Sequence, residues 1–247
     1  MPETDLRDIA GGEDVWAVYV RHAPGAVRRM SAFVAPVVAA GHISEKLREL
    51  IWIGVDSVVT HLFPSGIALH AGLALKAGAT VPEIIEVLRL ATEASERSYG
   101  PALLAIHQEL EAAGVRPPTA PPAAVEAARA YKSAFIARAG YWDEWMDIAI
   151  THMPDHFTAW LELTNAIEDE PALDAKSRAL ISIALCGCAP LANVEGVRRH
   201  SRLALAHGAS AEEIYAAMQL GMGLGSHAYI TGIDAMRTEL ERQALPA

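Results

Sequence analysis

The segment Lys46-Leu-Arg-Glu-Leu-Ile51 returns at an offset of 130 residues (176 minus 46) as Lys176-Ser-Arg-Ala-Leu-Ile181. Later landmarks keep this offset, namely the pairs Gly66 and Gly196, His70 and His200, Gly78 and Gly208, and Glu83 and Glu213. A repeat held in register over so many positions indicates duplication of one structural unit. The fold of one copy therefore predicts the fold of the other.

Helix start and stop signals recur in both copies. Ser44 and Asp174 can each accept a hydrogen bond from the free N–H groups of a first helical turn. A second helix is predicted to end at a glycine in each copy, because glycine readily adopts the left-handed conformation of a helix cap. These second helices are predicted from near Pro64 to Gly78 and from near Pro190 to Gly208.

Capping boxes and apolar spacing predict the remaining helices of each copy. Thr80-x-x-Glu83 and Ser210-x-x-Glu213 each pair a hydroxyl with a glutamate three residues later, which satisfies donors at a helix start. Apolar residues at helical spacing follow each box and predict a core helix and a closing helix. Their ranges are 84–91 and 103–110 in the first copy, and 214–220 and 233–240 in the second.

Composition agrees with an all-α fold and with two packed copies. Apolar residues make up 52% of the 247 residues and aromatic residues only 6%, which suits closely packed helices better than sheets. The segment Pro117-Pro-Thr-Ala-Pro-Pro122 cannot be helical throughout and indicates a connector. We therefore place the first copy at 1–116, the connector at 117–122 and the second copy at 123–247.

Charge and apolar pattern narrow the classes of partner. The net charge of −10, with 30 acidic and 20 basic residues, argues against binding to a nucleic-acid backbone. A membrane span is not expected, because no apolar run reaches roughly 18 residues. The acidic N-terminus lacks the features of a secretory signal, so we expect a cytoplasmic protein. Cys186 and Cys188 are too few for a disulfide framework and are predicted to be inert core thiols.

Three stretches of the first copy together resemble the carboxymuconolactone decarboxylase family, which includes the alkylhydroperoxidases. They are Arg48-Glu-Leu-Ile51, Thr60-His-Leu-Phe-Pro-Ser-Gly66-x-x-x-His70 and Ala74-Leu-x-x-Gly78-Ala-Thr-x-x-Glu83. The resemblance implies an all-helical unit that assembles into trimers or hexamers. A tandem chain is then expected to pack its two copies as a pseudo-dimer and to form a homo-oligomer, a dimer or a trimer.

The chain departs from the peroxidase members of that family. Those members carry two cysteines, separated by two residues, just ahead of the histidine. The matching positions here are Phe63 and Gly66 ahead of His70, and Asn193 and Gly196 ahead of His200. Because no thiol stands at either place, disulfide-relay reduction of peroxides is not expected.

Polar residues suited to acid/base chemistry concentrate in the first copy. Glu49, Trp52 and Asp56 share one face of its first helix, and His61 and His70 follow. An imidazole beside a buried carboxylate supplies groups that exchange protons near neutral pH. The resemblance associates Glu49 and His70 with the active site, and we add His61 as a third candidate catalytic residue.

The second copy serves as an internal control. It keeps His70 as His200 but has Ala179, Cys186 and Leu191 at the positions of Glu49, Asp56 and His61. This one-sided loss predicts one working site, in the first copy. The alternative is that Glu49 pairs with a nearby cation and His70 caps a turn, both for the fold alone.

The candidate substrate-binding residues are Arg48, Trp52, Asp56, His200 and His227. His200 follows Arg198 and Arg199, a cation pair that could hold a carboxylate or simply face solvent. The segment from Gly221 to His227 is glycine-rich but follows no predicted strand, so close helix packing is favoured over a nucleotide loop.

A metal site is not expected. His152-Met-Pro-Asp-His156 has the spacing of a helical ligand pair, but Pro154 between them is predicted to start a new helix. No cofactor is implied by any other motif.

These patterns lead to the hypothesis of a cofactor-independent lyase, a decarboxylase or related proton-transfer enzyme, acting on a small carboxylated or lactone-like molecule. Decarboxylation of an unsaturated lactone leaves an enolate that needs a proton donor and support for its charge. We predict His70 as the donor, His61 as its support and Glu49 as the group that orients the imidazole. Arg48 is the nearest cation in sequence for a substrate carboxylate, and the sequence leaves open whether it faces Glu49 or points away from it.

Two other classes stay open at this point. A thiol-dependent peroxidase would have to use the two cysteines in a new arrangement. A non-catalytic small-molecule-binding protein would keep the helical frame and let its polar residues drift.

Overall fold

The computed structural model describes residues 13–95, 98–169, 171–188 and 191–243, and these residues form helices and connecting turns without a strand. The α-helices are α1 (Glu13–His22), α2 (Pro24–Ala40), α3 (Glu45–Asp56), α4 (Pro64–Lys76), α5 (Val81–Ser95), α6 (Tyr99–Ala112), α7 (Pro122–Arg129), α8 (Tyr131–Ala139), α9 (Glu144–His152), α10 (Pro154–Asp169), α11 (Ala175–Gly187), α12 (Val194–Ala206), α13 (Ala211–Gly221) and α14 (His227–Arg242). A 3-10 helix over Met222–Ser226 leads into α14. Within the described residues, no helix is long and apolar enough to cross a membrane.

The predicted helix starts are confirmed at their caps. The Ser44 hydroxyl accepts a hydrogen bond from Leu47 N at 3.3 Å, and the Asp174 carboxylate accepts one from Ser177 N at 2.9 Å. Both capping boxes form: Thr80 N and Ser210 N each donate to a glutamate oxygen at 2.7 Å. The starts of α3 and α5 in the first copy, and of α11 and α13 in the second, are therefore fixed by local sequence.

The predicted helix stops are also confirmed. Gly78 and Gly208 adopt left-handed backbone angles, with φ of +88° and +80°. In the second copy α12 begins only at Val194, where the Asn193 side chain accepts from Gly196 N at 3.0 Å. Pro190, near which that helix was predicted to start, lies outside the described residues.

The duplicated unit includes a helix pair of which the sequence patterns predicted only the start of α10, at Pro154. Helices α1 and α2 precede α3, and α9 and α10 precede α11 in the same order. Pro24 starts α2 and Pro154 starts α10, which keeps the offset of 130 residues. Among the described residues each copy therefore contributes six α-helices, α1–α6 and α9–α14, with α7 and α8 between them.

The described chain divides into two compact units that each draw on both copies. One unit comes from the described residues of 13–94 and 172–243, and the other from the described residues of 95–171. In the first unit the closing helix of the second copy, α14, packs against α1 of the first copy. In the second unit the closing helix of the first copy, α6, packs against α9 of the second copy. The two copies thus exchange their closing helices.

The core of the first unit is the contact between the duplicated helices α3 and α11. Their inward side chains are fully buried, and they include Leu50, Ile51, Ile53, Leu180, Ile181 and Ile183. Gly54 permits a close approach here, because a Cβ at this position would lie 3.4 Å from the Leu185 side chain on α11 and 3.2 Å from the Val87 side chain on α5. Helix α4 packs along α3, and α12 packs along α11.

The second unit has a separate, aromatic-rich core. Its buried residues are Ala128, Phe135, Met146, Ala149, Ile150, Phe157 and Leu161. The rings of Trp145 and Trp160 pack edge to face with centroids 5.3 Å apart. Gly100 lies under Trp145, where a Cβ would come within 2.5 Å of the ring. This packing holds α6 against the first helices of the second copy.

A buried carboxylate fixes the start of the second copy's α11. Glu86 accepts hydrogen bonds from Ala172 N at 2.7 Å, Leu173 N at 2.9 Å and Arg178 Nε at 2.7 Å. Arg178 is the counterpart of Arg48, but it pairs with a residue of the other copy, since Ala179 stands where Glu49 does in the first copy. Glu86 thus ties the two copies together.

Replacing Glu86 with alanine is expected to lower the free energy of unfolding by about 3 to 5 kcal/mol, because the Arg178 guanidinium and two N–H groups would lose their buried partner. The matched control is Glu126→Ala, which breaks an exposed pair with Arg129 and should cost less than about 1 kcal/mol. Urea denaturation of both variants measures the difference. Equal losses of unfolding free energy in the two variants would show that Glu86 does not stabilise the fold through its buried partners.

Candidate active site

Three charged or polar side chains of the first copy form a connected, buried group. Glu49 lies on α3 and His70 on α4, and Glu49 Oε2 is 2.7 Å from His70 Nδ1. Arg48 Nε donates to Glu49 Oε1 at 2.9 Å, and Arg48 Nη2 lies 2.8 Å from the same oxygen. A carboxylate can only accept, so His70 donates from Nδ1 and its Nε2 is left facing Asp56.

Asp56, at the end of α3, is buried next to this group. Its Oδ2 lies 4.0 Å from His70 Nε2 and has no hydrogen-bond partner among the described residues. Only 2% of Asp56 is exposed, and burial raises the pKa of its carboxyl to about 8. Asp56 therefore holds its proton at neutral pH and can donate a hydrogen bond.

Two histidines continue the arrangement on the other side of Asp56. His227 Nε2 lies 3.5 Å from Asp56 Oδ1, and His227 Nδ1 lies 2.6 Å from His61 Nε2. Burial, with the nearby His61 and His70, lowers the pKa of His227 to about 3, and burial also lowers the pKa of His61. Both rings are neutral at pH 7, so one donates and the other accepts in their shared hydrogen bond.

A small inner cavity of about 40 Å³ brings these groups to a common space. It is lined by Met30, Val34, Trp52, Val55, Asp56, His70, Gly223, Leu224, Ser226 and His227. The Trp52 ring packs against His70, with centroids 4.9 Å apart, and Arg48 lies 5.5 Å from the centre of the Trp52 ring. Because one water takes up about 30 Å³ of liquid, the space suits a single functional group rather than a whole organic molecule.

The structure brings together seven of the eight residues that the sequence singled out. They are Arg48, Glu49, Trp52, Asp56, His61, His70 and His227. His61 contacts His227 and not His70, so the expected direct support of His70 by His61 is wrong. Arg48 points to Glu49, which decides the direction that the sequence left open.

His200 is the candidate that the structure leaves out. It lies on α12 at the position equivalent to His70, and no contact among the described residues joins it to the group around Glu49. Its pKa is lowered by burial and by the adjacent Arg199 to about 4, which leaves it neutral. The positions that would complete a second site carry Ala179 and Cys186, and both are buried.

The cysteines lie within the core, as the sequence predicted. Cys186 and Cys188 are buried and form no disulfide, and the Cys188 thiol donates to Leu185 O at 3.0 Å. Neither lines the inner cavity. Within the described ranges, no three His, Cys, Asp or Glu side chains are arranged to hold a metal ion.

Sequence reasoning missed the cavity walls that come from α2 and from the 3-10 helix. Met30 and Val34 lie on α2, while Gly223 and Ser226 lie on the 3-10 helix. The signal that could have found α2 is the proline pair Pro24 and Pro154 at the repeat offset. Gly221, at the end of α13, packs closely as predicted, because a Cβ there would lie 2.9 Å from Ala184 O.

Comparison with known proteins gives a family and a solved structure. The model of the carboxymuconolactone decarboxylase family matches residues 24–112 and 154–228, two segments that begin at α2 and α10. A crystal structure from Burkholderia xenovorans, described as a "putative gamma-carboxymuconolactone decarboxylase subunit", superposes with a TM-score of 0.83. The two chains are 26% identical, and the alignment covers 97% of this chain and 96% of that one. No curated protein matches the chain significantly.

Substituting alanine for Gly66 is expected to destabilise the protein by about 1 to 3 kcal/mol, because the added Cβ would lie 2.2 Å from Asp56 Oδ2 and 2.4 Å from the Phe63 ring. Gly72→Ala, on the same helix, meets no atom within 4 Å and should be neutral or stabilising. Thermal unfolding of the two variants tests this. Equal midpoints would mean that Gly66 does not make room for Asp56.

Proposed function

Because the chain belongs to the carboxymuconolactone decarboxylase family, we propose that it is a cofactor-independent lyase that decarboxylates, or transfers a proton on, a small carboxylated or lactone-like molecule. The observation that carries this proposal is the buried Asp56 carboxyl, 4.0 Å from His70 Nε2 in one small cavity, where burial raises the pKa of Asp56 to about 8. An imidazole and a neutral acid in one buried space are the groups that enolate chemistry needs.

The proposed reaction assigns one step to each group. The carbon–carbon bond to the carboxylate breaks, carbon dioxide leaves, and the electron pair stays on the substrate as an extended enolate. His70, protonated at both nitrogens, gives its Nε2 proton to carbon and keeps Nδ1–H on Glu49. Solvent then returns the proton to His70, which closes the cycle.

Asp56 is proposed to support the charge that develops on the enolate oxygen. A neutral carboxyl with a free oxygen in a buried site can donate a strong hydrogen bond to an anion. His227 would hold the Asp56 carboxyl in place from the other side, and His61 would fix the His227 ring through their hydrogen bond. These two histidines act as positioning residues in this scheme.

Glu49 and Arg48 are proposed to position His70. Glu49 stabilises the protonated imidazole by accepting from Nδ1, as carboxylates do for histidines in acid/base sites. Arg48 occupies the other Glu49 oxygen and so prevents the carboxylate from turning towards the cavity. Since its guanidinium is held there, Arg48 is not proposed as the residue that binds a substrate carboxylate.

Assembly is proposed to follow the family. The related crystal structure is described as a subunit, and we propose that this chain forms a homo-oligomer, a dimer or a trimer, as the resemblance implied.

His70→Ala is expected to lower kcat by roughly 10²- to 10⁴-fold on a panel of carboxylated lactones, because the proposed proton donor is removed. His200→Ala is the matched control and should keep full activity, since its copy lacks the carboxylates. Steady-state rates on the panel measure both. Equal activity of His70→Ala and the unmodified protein would contradict the proposal.

The same assay separates the two other classes of function. A double Cys186→Ser, Cys188→Ser variant is expected to keep its rate. A selective loss of activity in that folded variant would instead favour thiol chemistry. Turnover of no substrate by the unmodified protein, together with tight binding of the same acids, would favour a binding protein.

A further inference from the structure

A larger outer cavity of about 470 Å³ adjoins the inner one. The two share the lining residues Met30, Val34, Gly223 and Ser226, so the outer cavity leads onto the space that holds His70 and Asp56. Its volume falls within the range of about 300 to 1,000 Å³ typical of sites for small organic ligands. The inner cavity accommodates one functional group, whereas the outer cavity accommodates the body of a molecule.

The walls of the outer cavity are mostly apolar. Phe33, Met222 and Tyr229 line it and are each more than half exposed, so together they form an exposed apolar patch of the kind that contacts a ligand or a partner. Ala26, Met30 and Val34 continue the apolar surface inward along α2. This lining matches an aliphatic or aromatic molecular body.

Arg29 is the one charged residue among those that line the outer cavity. It is exposed, and no carboxylate of the described residues forms an ion pair with it, in contrast to Arg48, which is held by Glu49. Its guanidinium lies close to α2, since a Cβ on Gly25 would come within 3.2 Å of Arg29 Nη1. An arginine placed over an apolar cavity is well suited to bind a carboxylate.

We propose that the outer cavity binds an organic acid with an apolar body, whose remote carboxylate pairs with Arg29 while its reacting group enters the inner cavity. This inference rests on the proposed function and deepens it, because it states the substrate class. The ligand is longer than a simple lactone and carries its anionic group away from the reacting carbon. Arg29 is then a specificity-determining residue, outside the group that moves protons.

The test uses binding of two probe acids, 4-phenylbutyrate and 6-phenylhexanoate, and of their uncharged amides, measured by isothermal titration calorimetry. The intact protein is expected to bind at least one acid about 10-fold or more tightly than its amide, as a charge-assisted pair implies. Arg29→Met should remove this preference and leave amide binding unchanged. Arg28→Met, which changes the adjacent exposed arginine outside the cavity lining, should keep it.

Three results would overturn the inference. Equal loss of acid preference in the Arg29→Met and Arg28→Met variants would show a general effect of surface charge. Equal binding of acids and amides, or binding of neither, would exclude the proposed ligand class. Probe binding that weakens as protein concentration rises would show that a second copy of the chain covers the cavity instead.

Turnover of the same panel of acids by the intact protein, by His70→Ala and by Arg29→Met separates this inference from the proposed function. Binding that depends on Arg29, with no turnover of any acid by the intact protein, would support the outer site and contradict the lyase. Turnover that depends on His70 but not on Arg29 would support the lyase and contradict the outer site.

Discussion

The carboxyl groups of Glu49 and Asp56 are buried where α3 packs against α4, and the remaining groups of the site compensate for that burial. Moving a carboxylate out of water costs several kcal/mol unless it is paired or protonated. Glu49 is paired, with Arg48 on one oxygen and His70 on the other. Asp56 has no cation within hydrogen-bond distance among the described residues, so burial raises its pKa and it keeps its proton. Two carboxyl groups seven residues apart are thus compensated for burial in different ways, Glu49 by its partners and Asp56 by its proton.

The duplication explains why this arrangement exists once. Both copies keep the helical frame, because the caps, glycine stops and apolar faces that build it recur at one offset. The second copy has apolar residues or a thiol at the positions of the two carboxyl groups, which removes the cost of burying charge there. Its arginine, Arg178, has acquired a structural partner in Glu86 of the first copy. The second copy therefore stabilises the frame, and it also supplies His227 and the 3-10 helix to the cavity of the first.

Local sequence predicted the helices of the repeat and most of the polar site. Caps such as Ser44 and stops such as Gly78 act within one turn of helix, so a single sequence reveals them. The grouping of Glu49, Asp56 and His70 could be predicted from the sequence, because helical spacing and the family pattern place them together. The contact of His61 with His227 could not be predicted from the sequence. The two residues are 166 positions apart and meet only because the closing helix is exchanged between copies. The sequence left the direction of Arg48 open, because neighbouring residues on a helix point apart whereas a long guanidinium side chain can fold back.

The pH dependence of stability tests the protonated state of Asp56 most directly. In the unfolded chain this carboxyl ionises near pH 3.8, whereas in the fold it keeps its proton up to about pH 8. Its contribution to stability is thus complete below the lower value and declines as the pH rises towards 8. The measurement is the free energy of unfolding of the intact protein minus that of Asp56→Asn, from pH 5 to 9. We predict that this difference falls by at most about 1.4 kcal/mol per pH unit up to pH 8 and then levels off. A difference that stays constant or rises over that range would mean that Asp56 is ionised in the fold, and would contradict the account.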